Sequence, residues 1–219
     1  MSPRRSVVET GRTRAAIVAR GVAVASVEGL EGLTIGRLAA DLGMSKSGLL
    51  GHFGSKEALQ LEVVDAAAAI FTREVADRAT GTAPGLPRLR ALCAAWVSYL
   101  EREVFPGGCF FIAAAAEFDD RAGPVRDAVA GLTALWERDL RIHVRLAVAA
   151  GDLPAGTDPD QVVFELGGVL MALNYGLRLR RDPGAPARAR RALDQLIGTG
   201  PTVAARAGRA APAARPPAA

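Results

Sequence analysis

Thr34-Ile35-Gly36-Arg37-Leu38-Ala39-Ala40-Asp41-Leu42-Gly43-Met44-Ser45-Lys46-Ser47-Gly48-Leu49-Leu50-Gly51-His52-Phe53-Gly54-Ser55-Lys56-Glu57 reads as two short helices joined by a sharp turn, with a third helix opening behind them. Leu38 and Leu42 share one face at i, i+4, and Ala39 is small enough to let the next helix come close. Gly43 stands at the helix end, where a left-handed backbone is commonly required. Met44 and Leu49 can plug the angle between the helices, and Ser45 is a good N-cap for a second helix whose outward residues would be Lys46, Ser47, Leu50 and Gly51. Thr34 caps the helix before the turn, and Ser55 caps the helix that Lys56 and Glu57 open. Helix N-termini with nearby lysines suit phosphate groups, so the stretch reads as a helix-turn-helix with a reading head and two backbone grips. Lys46 and Lys56 are the chain's only lysines, against 25 arginines.

Around this stretch, 219 residues with 50% hydrophobic and 23% charged side chains make an ordinary globular composition, which excludes a disordered or fibrous chain. The net charge of +4 conceals an asymmetry: residues 1–60 carry a net +3, residues 61–177 a net −6 and residues 178–219 a net +7. A basic end beside an acidic body fits a nucleic-acid contact confined to one end, although such charge can also be solvated surface. Alanine, leucine and arginine dominate and no alternating β-branched run of strand length occurs, so the fold class is all-α. Gly/Pro breakers divide the chain into about nine helices, near 11–28, 35–42, 46–52, 56–79, 87–103, 109–119, 125–150, 158–181 and 186–198. The stretch 202–219 is rich in Ala, Pro and Arg with Val203 as its one large apolar residue, and is expected to be a disordered tail.

The longest uninterrupted apolar stretch, 109–116, is far shorter than the roughly 20 residues of a spanning helix, so no membrane segment is expected. Arg4-Arg5 is followed by further charges instead of an apolar run, so no export signal is read and a cytoplasmic protein is expected. Cys93 and Cys109 form no C-x-x-C and have no histidine pair nearby, which fits reduced buried thiols; neither a metal nor a cofactor is expected. H-E-x-x-H, G-x-S-x-G, P-loop and Rossmann fingerprints do not occur, and His143 is the sole imidazole outside the helix-turn-helix, so an enzyme is not expected. A helical adaptor for another protein is the remaining alternative, but it would not need the capped, lysine-bearing turn.

Residues 12–59 resemble the N-terminal DNA-binding domain of the TetR (tetracycline repressor) family of bacterial regulators. Gly43, Ser45, Leu49, Phe53, Ser55, Lys56, Glu57 and Leu59 match the family pattern, with Met44 in its valine position, and Ile17, Gly29, Thr34, Ile35, Leu38 and Ala39 also fall in place. Leu50 stands where an aromatic is usual, Gly51 follows it, and one customary phosphate-contacting tyrosine is therefore missing. The resemblance implies a DNA-binding domain over 1–55, a ligand-sensing and dimerising domain over 56–200 and a tail over 201–219, with a double-stranded DNA operator and a small-molecule effector as partners. The expected DNA-contacting residues are Thr34, Ser45, Lys46, Ser47, Leu50, Gly51, His52 and Lys56.

Beyond residue 60 the resemblance is one of helix number and length only. Most aromatics fall in three central helices: Leu89, Cys93, Trp96 and Leu100 on one, Cys109, Phe110, Phe111 and Phe118 on the next, and Val125, Val129, Leu132, Trp136, His143 and Leu146 on the third. These are either a filled core or the walls of a ligand cavity. The candidate effector site is Trp96, Phe110, Phe111, Trp136 and His143, for a mostly apolar molecule, although a lone histidine on an apolar face is more often a satisfied buried imidazole. Val162, Val163, Leu166, Leu170, Met171, Leu173 and Leu177, with Gly167-Gly168, form a wide apolar face, and Ala189, Ala192, Leu193, Leu196 and Ile197 a second. In the family the corresponding helices pair as a four-helix bundle, so residues 158–198 are the expected homodimer interface.

Overall fold

The computed structural model describes residues 7–198; the tail expected over 201–219 lies outside them. Among the described residues the chain forms nine helices and no strand: α1 (Val7–Gly32), α2 (Ile35–Asp41), α3 (Lys46–Phe53), α4 (Lys56–Phe71), α5 (Leu86–Glu101), α6 (Phe110–Phe118), α7 (Pro124–Ala149), α8 (Pro159–Arg178) and α9 (Ala185–Ile197). Among the described residues no helix is long and apolar enough to cross a membrane. The starts follow local chemistry, with side-chain caps at Thr34, Ser45, Ser55 and Asp158 and a proline in the first turn of α5, α7, α8 and α9.

Two irregularities interrupt this pattern. At Gly29 the backbone of α1 leaves the helix (φ 80°, ψ 163°), a conformation that only glycine adopts without strain. The freed N–H groups of Leu30 and Glu31 donate to the two carboxylate oxygens of Glu117 on α6, at 2.7 and 2.8 Å. Beyond Phe71, α4 loosens into a π-helical stretch, Thr72–Ala76, before a last turn at Asp77–Ala79.

α4 is the central element, packed on α1 at its start and on α7 further along. Ile17, Leu30, Leu33, Leu38, Leu49, Leu59 and Val63 are fully buried around the first three helices, and the core continues through Ala67 and Val75 to Leu89, Tyr99, Phe110 and Val144. α8 and α9 pack against each other and cover α5.

Two expected faces divide differently. On α7 Val125, Val129 and His143 are buried, but Leu146 is exposed together with Leu135 and Ile142, forming a separate outward stripe. On α8 Val162, Val163, Leu166, Leu170 and Leu173 are buried against the chain itself, and Met171 is the one large exposed side chain of the expected face. The unpartnered surface of α8 is instead Phe164, Met171, Tyr175 and Leu179, spaced i, i+7, i+11 and i+15. α8 is apolar on two sides, so periodicity alone does not say which side meets the rest of the chain.

Candidate nucleic-acid interface and effector site

The helix-turn-helix is held from within by Leu38, Ala39, Leu49 and Phe53, all buried. Its turn closes through Met44 N–H donating to the Ala39 carbonyl at 2.8 Å, with Gly43 at φ 62°. Thr34 Oγ1 accepts from Arg37 N–H at 3.1 Å, Ser45 Oγ from Gly48 N–H at 3.0 Å and Ser55 Oγ from Ala58 N–H at 3.0 Å. These bonds fix the directions of three helix N-termini.

With Leu49 and Phe53 turned inward, α3 exposes Lys46, Ser47, Leu50 and Gly51. Thr34 and Ser45 are exposed beside them, and His52 is half-buried against Phe53. Lys46 is the one Lys or Arg on α3, and its side chain lies across Gly36 at the start of α2. Lys56 is differently placed: its Nζ donates to the Glu31 carbonyl and to Glu31 Oε2, each at 3.0 Å. That hydrogen bond, helped by Gln60, holds the Glu31 carboxyl below the usual carboxylate range. Arg20 and Arg37 both hold Asp41, the Arg20 hydrogen bond contributing most to the lowered pKa of its carboxyl.

Arg14 ties the unit together in a way that no local pattern signals. Its guanidinium donates to the His52 carbonyl and to both oxygens of Glu62, and sits 4.5 Å above the Phe53 ring. It thus joins α1, the end of α3 and α4 through one planar, permanently charged group.

Of the candidate effector residues, Trp96, Phe110, Phe111 and Trp136 come together in one aromatic cluster. Phe71 of α4 stands at its centre, edge-on to Trp136 with ring centroids 5.0 Å apart. Neither Phe71 nor Tyr99 was among the sequence candidates, although both meet this cluster. His143 is not part of that ring network. From α7 it faces the start of α5, where its Nδ1 accepts from Gly85 N–H at 3.3 Å, with Asp139 Oδ1 3.9 Å from Nε2.

Burial lowers the pKa of His143, outweighing the opposite pull of Asp139, with Arg88 adding to the lowering. The folded chain then binds fewer protons here than the unfolded chain just below the ordinary imidazole range, so stability falls as pH is lowered through that range. Denaturant titrations at about pH 8 and pH 5.5 are expected to find the protein less stable at the lower pH. The difference shrinks in a His143→Gln variant, and an unaltered difference would mean that another group controls it.

Comparison with known proteins accords with this geometry. A model of the family described as bacterial regulatory proteins, tetR family, matches residues 17–63, and one described as tetracyclin repressor-like, C-terminal domain, matches residues 85–193. Among curated proteins none matches. A TetR transcriptional regulator from Chloroflexus aurantiacus J-10-FL is 26% identical, covering 87% of this chain and 95% of its own, with a TM-score of 0.78. CifR, a TetR family regulator solved as a cysteine mutant with a 26 bp double-strand operator, is also 26% identical (88% and 98% covered, TM-score 0.71). AibR, solved with isovaleryl coenzyme A and operator DNA, shares the fold at 20% identity (84% and 98% covered, TM-score 0.70).

Proposed function

Because this chain belongs to the TetR family of bacterial transcriptional regulators, which are DNA-binding proteins and not enzymes, we infer that it is a repressor that holds a palindromic operator as a homodimer and is released by a small, mostly apolar effector. The outward face of α3 carries this reading, since Lys46, Ser47, Leu50 and Gly51 are exposed on a short helix whose opposite side is fully buried. Those four residues face the major groove, while Thr34, Ser45, His52 and Lys56 flank the duplex backbone; residues 1–55 form the DNA-binding unit and residues 56–200 the sensing and dimerising unit. The solved complexes of CifR and AibR with operator DNA support the first role, and the acyl coenzyme A bound to AibR supports the second.

Dimerisation is supported by the α8 stripe Phe164, Met171, Tyr175 and Leu179, which leaves large apolar groups in water on the single chain. Gly167 and Gly168 on the same helix face open space, leaving room for close approach of a partner helix. Sedimentation is expected to give a dimer at micromolar concentration, and footprinting a site with an inverted repeat. A monomer, or a minimal site without two-fold symmetry, would overturn the reading.

Two elements link the aromatic cluster to the DNA-binding helices. α4 runs from Phe71 in the cluster back to the Ser55 cap, and α6 runs from Phe110 and Phe111 to Glu117, which grips α1 at Leu30 and Glu31. An effector that moves either helix alters the separation of the two α3 helices in the dimer. A hundredfold release needs the effector to prefer the released state by about 2.7 kcal/mol, and operator DNA must weaken effector binding by the same factor.

A further inference from the structure

The aromatic cluster holds an unmet demand for hydrogen bonds. Phe71 touches Trp96 and Tyr99 edge-on at 5.4 Å each, and Trp96 meets Trp136 at 5.2 Å. Within this network three atoms are shut off from solvent without a well-formed hydrogen bond among the described residues: the indole Nε1 of Trp96, the indole Nε1 of Trp136 and the phenol oxygen of Tyr99. Tyr99 is only 1% exposed. Buried Trp and Tyr normally find a partner, so three orphans in one ring network need a reason. Trp96 and Tyr99 both face the buried thiol of Cys109, which burial keeps protonated and which is itself a weak partner. Next to the hub residue Phe71, the π-helical stretch Thr72–Ala76 loosens α4, an irregularity often found at functional sites.

The polar equipment of these residues has one character. Two indole N–H groups, a phenol O–H and a thiol S–H are all neutral donors, and the indoles cannot accept at all. None of Phe71, Trp96, Tyr99, Cys109, Phe111 and Trp136 carries a charge to compensate a buried carboxylate or ammonium.

We propose that this cluster is the effector seat and that its ligand class is a neutral, ring-bearing molecule with an accepting oxygen, such as a ketone, ester, lactone or quinone. The proposal rests on the effector-site reading above and names its chemistry. A hydrocarbon of the same shape would leave the indole and phenol donors unpaired, an amine would bring further donors, and a carboxylate would enter without a cation to meet it. The aromatic rings, packed on one another in the free chain, part to supply the apolar surface and the edge-to-face contacts for the ring.

The two tryptophans of the chain are both in this cluster, so tryptophan fluorescence of the full-length protein, excited beyond the tyrosine band, reports on it alone. Titration calorimetry with matched probes, with emission followed in parallel, tests the assignment: acetophenone, its hydrocarbon isostere α-methylstyrene, benzoate and benzylamine. Acetophenone is expected to bind at least about tenfold more tightly than each of the other three and to shift the tryptophan emission. Tyr99→Phe, which removes a hydroxyl met only by weak partners and keeps the packed ring, is expected to narrow the acetophenone to α-methylstyrene ratio. Equal binding of the ketone and the hydrocarbon, or tightest binding of benzoate or benzylamine, overturns the ligand class while leaving an effector site. No binding and no emission change with any of the four at millimolar concentration overturns both, and the cluster is then filled core.

Discussion

Gly107→Ala is expected to lower stability by about 3 kcal/mol or more, at or beyond the upper end of what overpacking usually costs. A methyl group at this position would lie 1.4 Å from the Ser26 carbonyl oxygen and 2.2 Å from its carbon, with the Val27 nitrogen at 2.9 Å. All three atoms are backbone of α1, so no side chain can swing aside. The chain would have to lift the segment between α5 and α6 off α1, and with it the start of α6, whose far end carries Glu117. Gly51→Ala is the matching control, because a methyl group there meets nothing within 4 Å and the position is a helix interior where alanine is the better residue. Thermal unfolding should separate the two by many degrees, with Gly51→Ala at or above the parent. A Gly107→Ala protein of parental stability would show that the segment before α6 does not pack on α1 in this way.

How much of this was legible in the sequence depends on the range of the interaction. The caps at Thr34, Ser45 and Ser55, the turn at Gly43 and the buried Leu38 and Leu49 are set by neighbours three or four residues away, and each is where local rules put it. Contacts between distant segments leave no such mark. Glu117 reaches amides 86 and 87 residues earlier, and Arg14 bridges to Glu62 across 48. Both use common residue types on solvent-compatible faces, so nothing in their own surroundings distinguishes them.

Helical-wheel logic also has a blind direction along the axis. Trp136 and His143 share a face of α7 but stand about 10 Å apart along it, and the neighbours they meet differ accordingly. Trp136 meets Phe71 and Trp96, whereas His143 meets Gly85 at the opening of α5. The π-helical stretch after Phe71 is hidden in the same way, since Thr72–Ala76 is unremarkable in propensity.

Lys46→Glu is expected to reduce operator affinity on the order of a hundredfold while leaving the fold intact. Lys46 occupies the first position of α3, where the helix dipole disfavours a cation and favours an acid by roughly 0.3–1 kcal/mol. A residue that breaks a local rule on an exposed surface answers to a partner. Reversing the charge therefore improves the helix and spoils only the contact in the major groove, twice over in a dimer. Lys56 also opens a helix with the wrong charge, but its ammonium already has the Glu31 carbonyl and carboxylate at 3.0 Å. Lys56→Ala should consequently cost less operator affinity than Lys46→Ala, because Lys56 must give up these bonds to reach DNA. Glu31→Gln should tighten binding by removing the carboxylate that holds Lys56, the carbonyl bond remaining, and with it a negative charge near the duplex. Across a panel of operator variants Lys46→Ala is expected to change which base pairs are preferred, whereas Lys56→Ala weakens binding to all sequences alike. Unfolding measurements on Lys46→Glu should give a midpoint equal to or above the parent. Parental operator affinity in that variant would remove α3 from the interface, and a lowered midpoint would mean that Lys46 serves the fold.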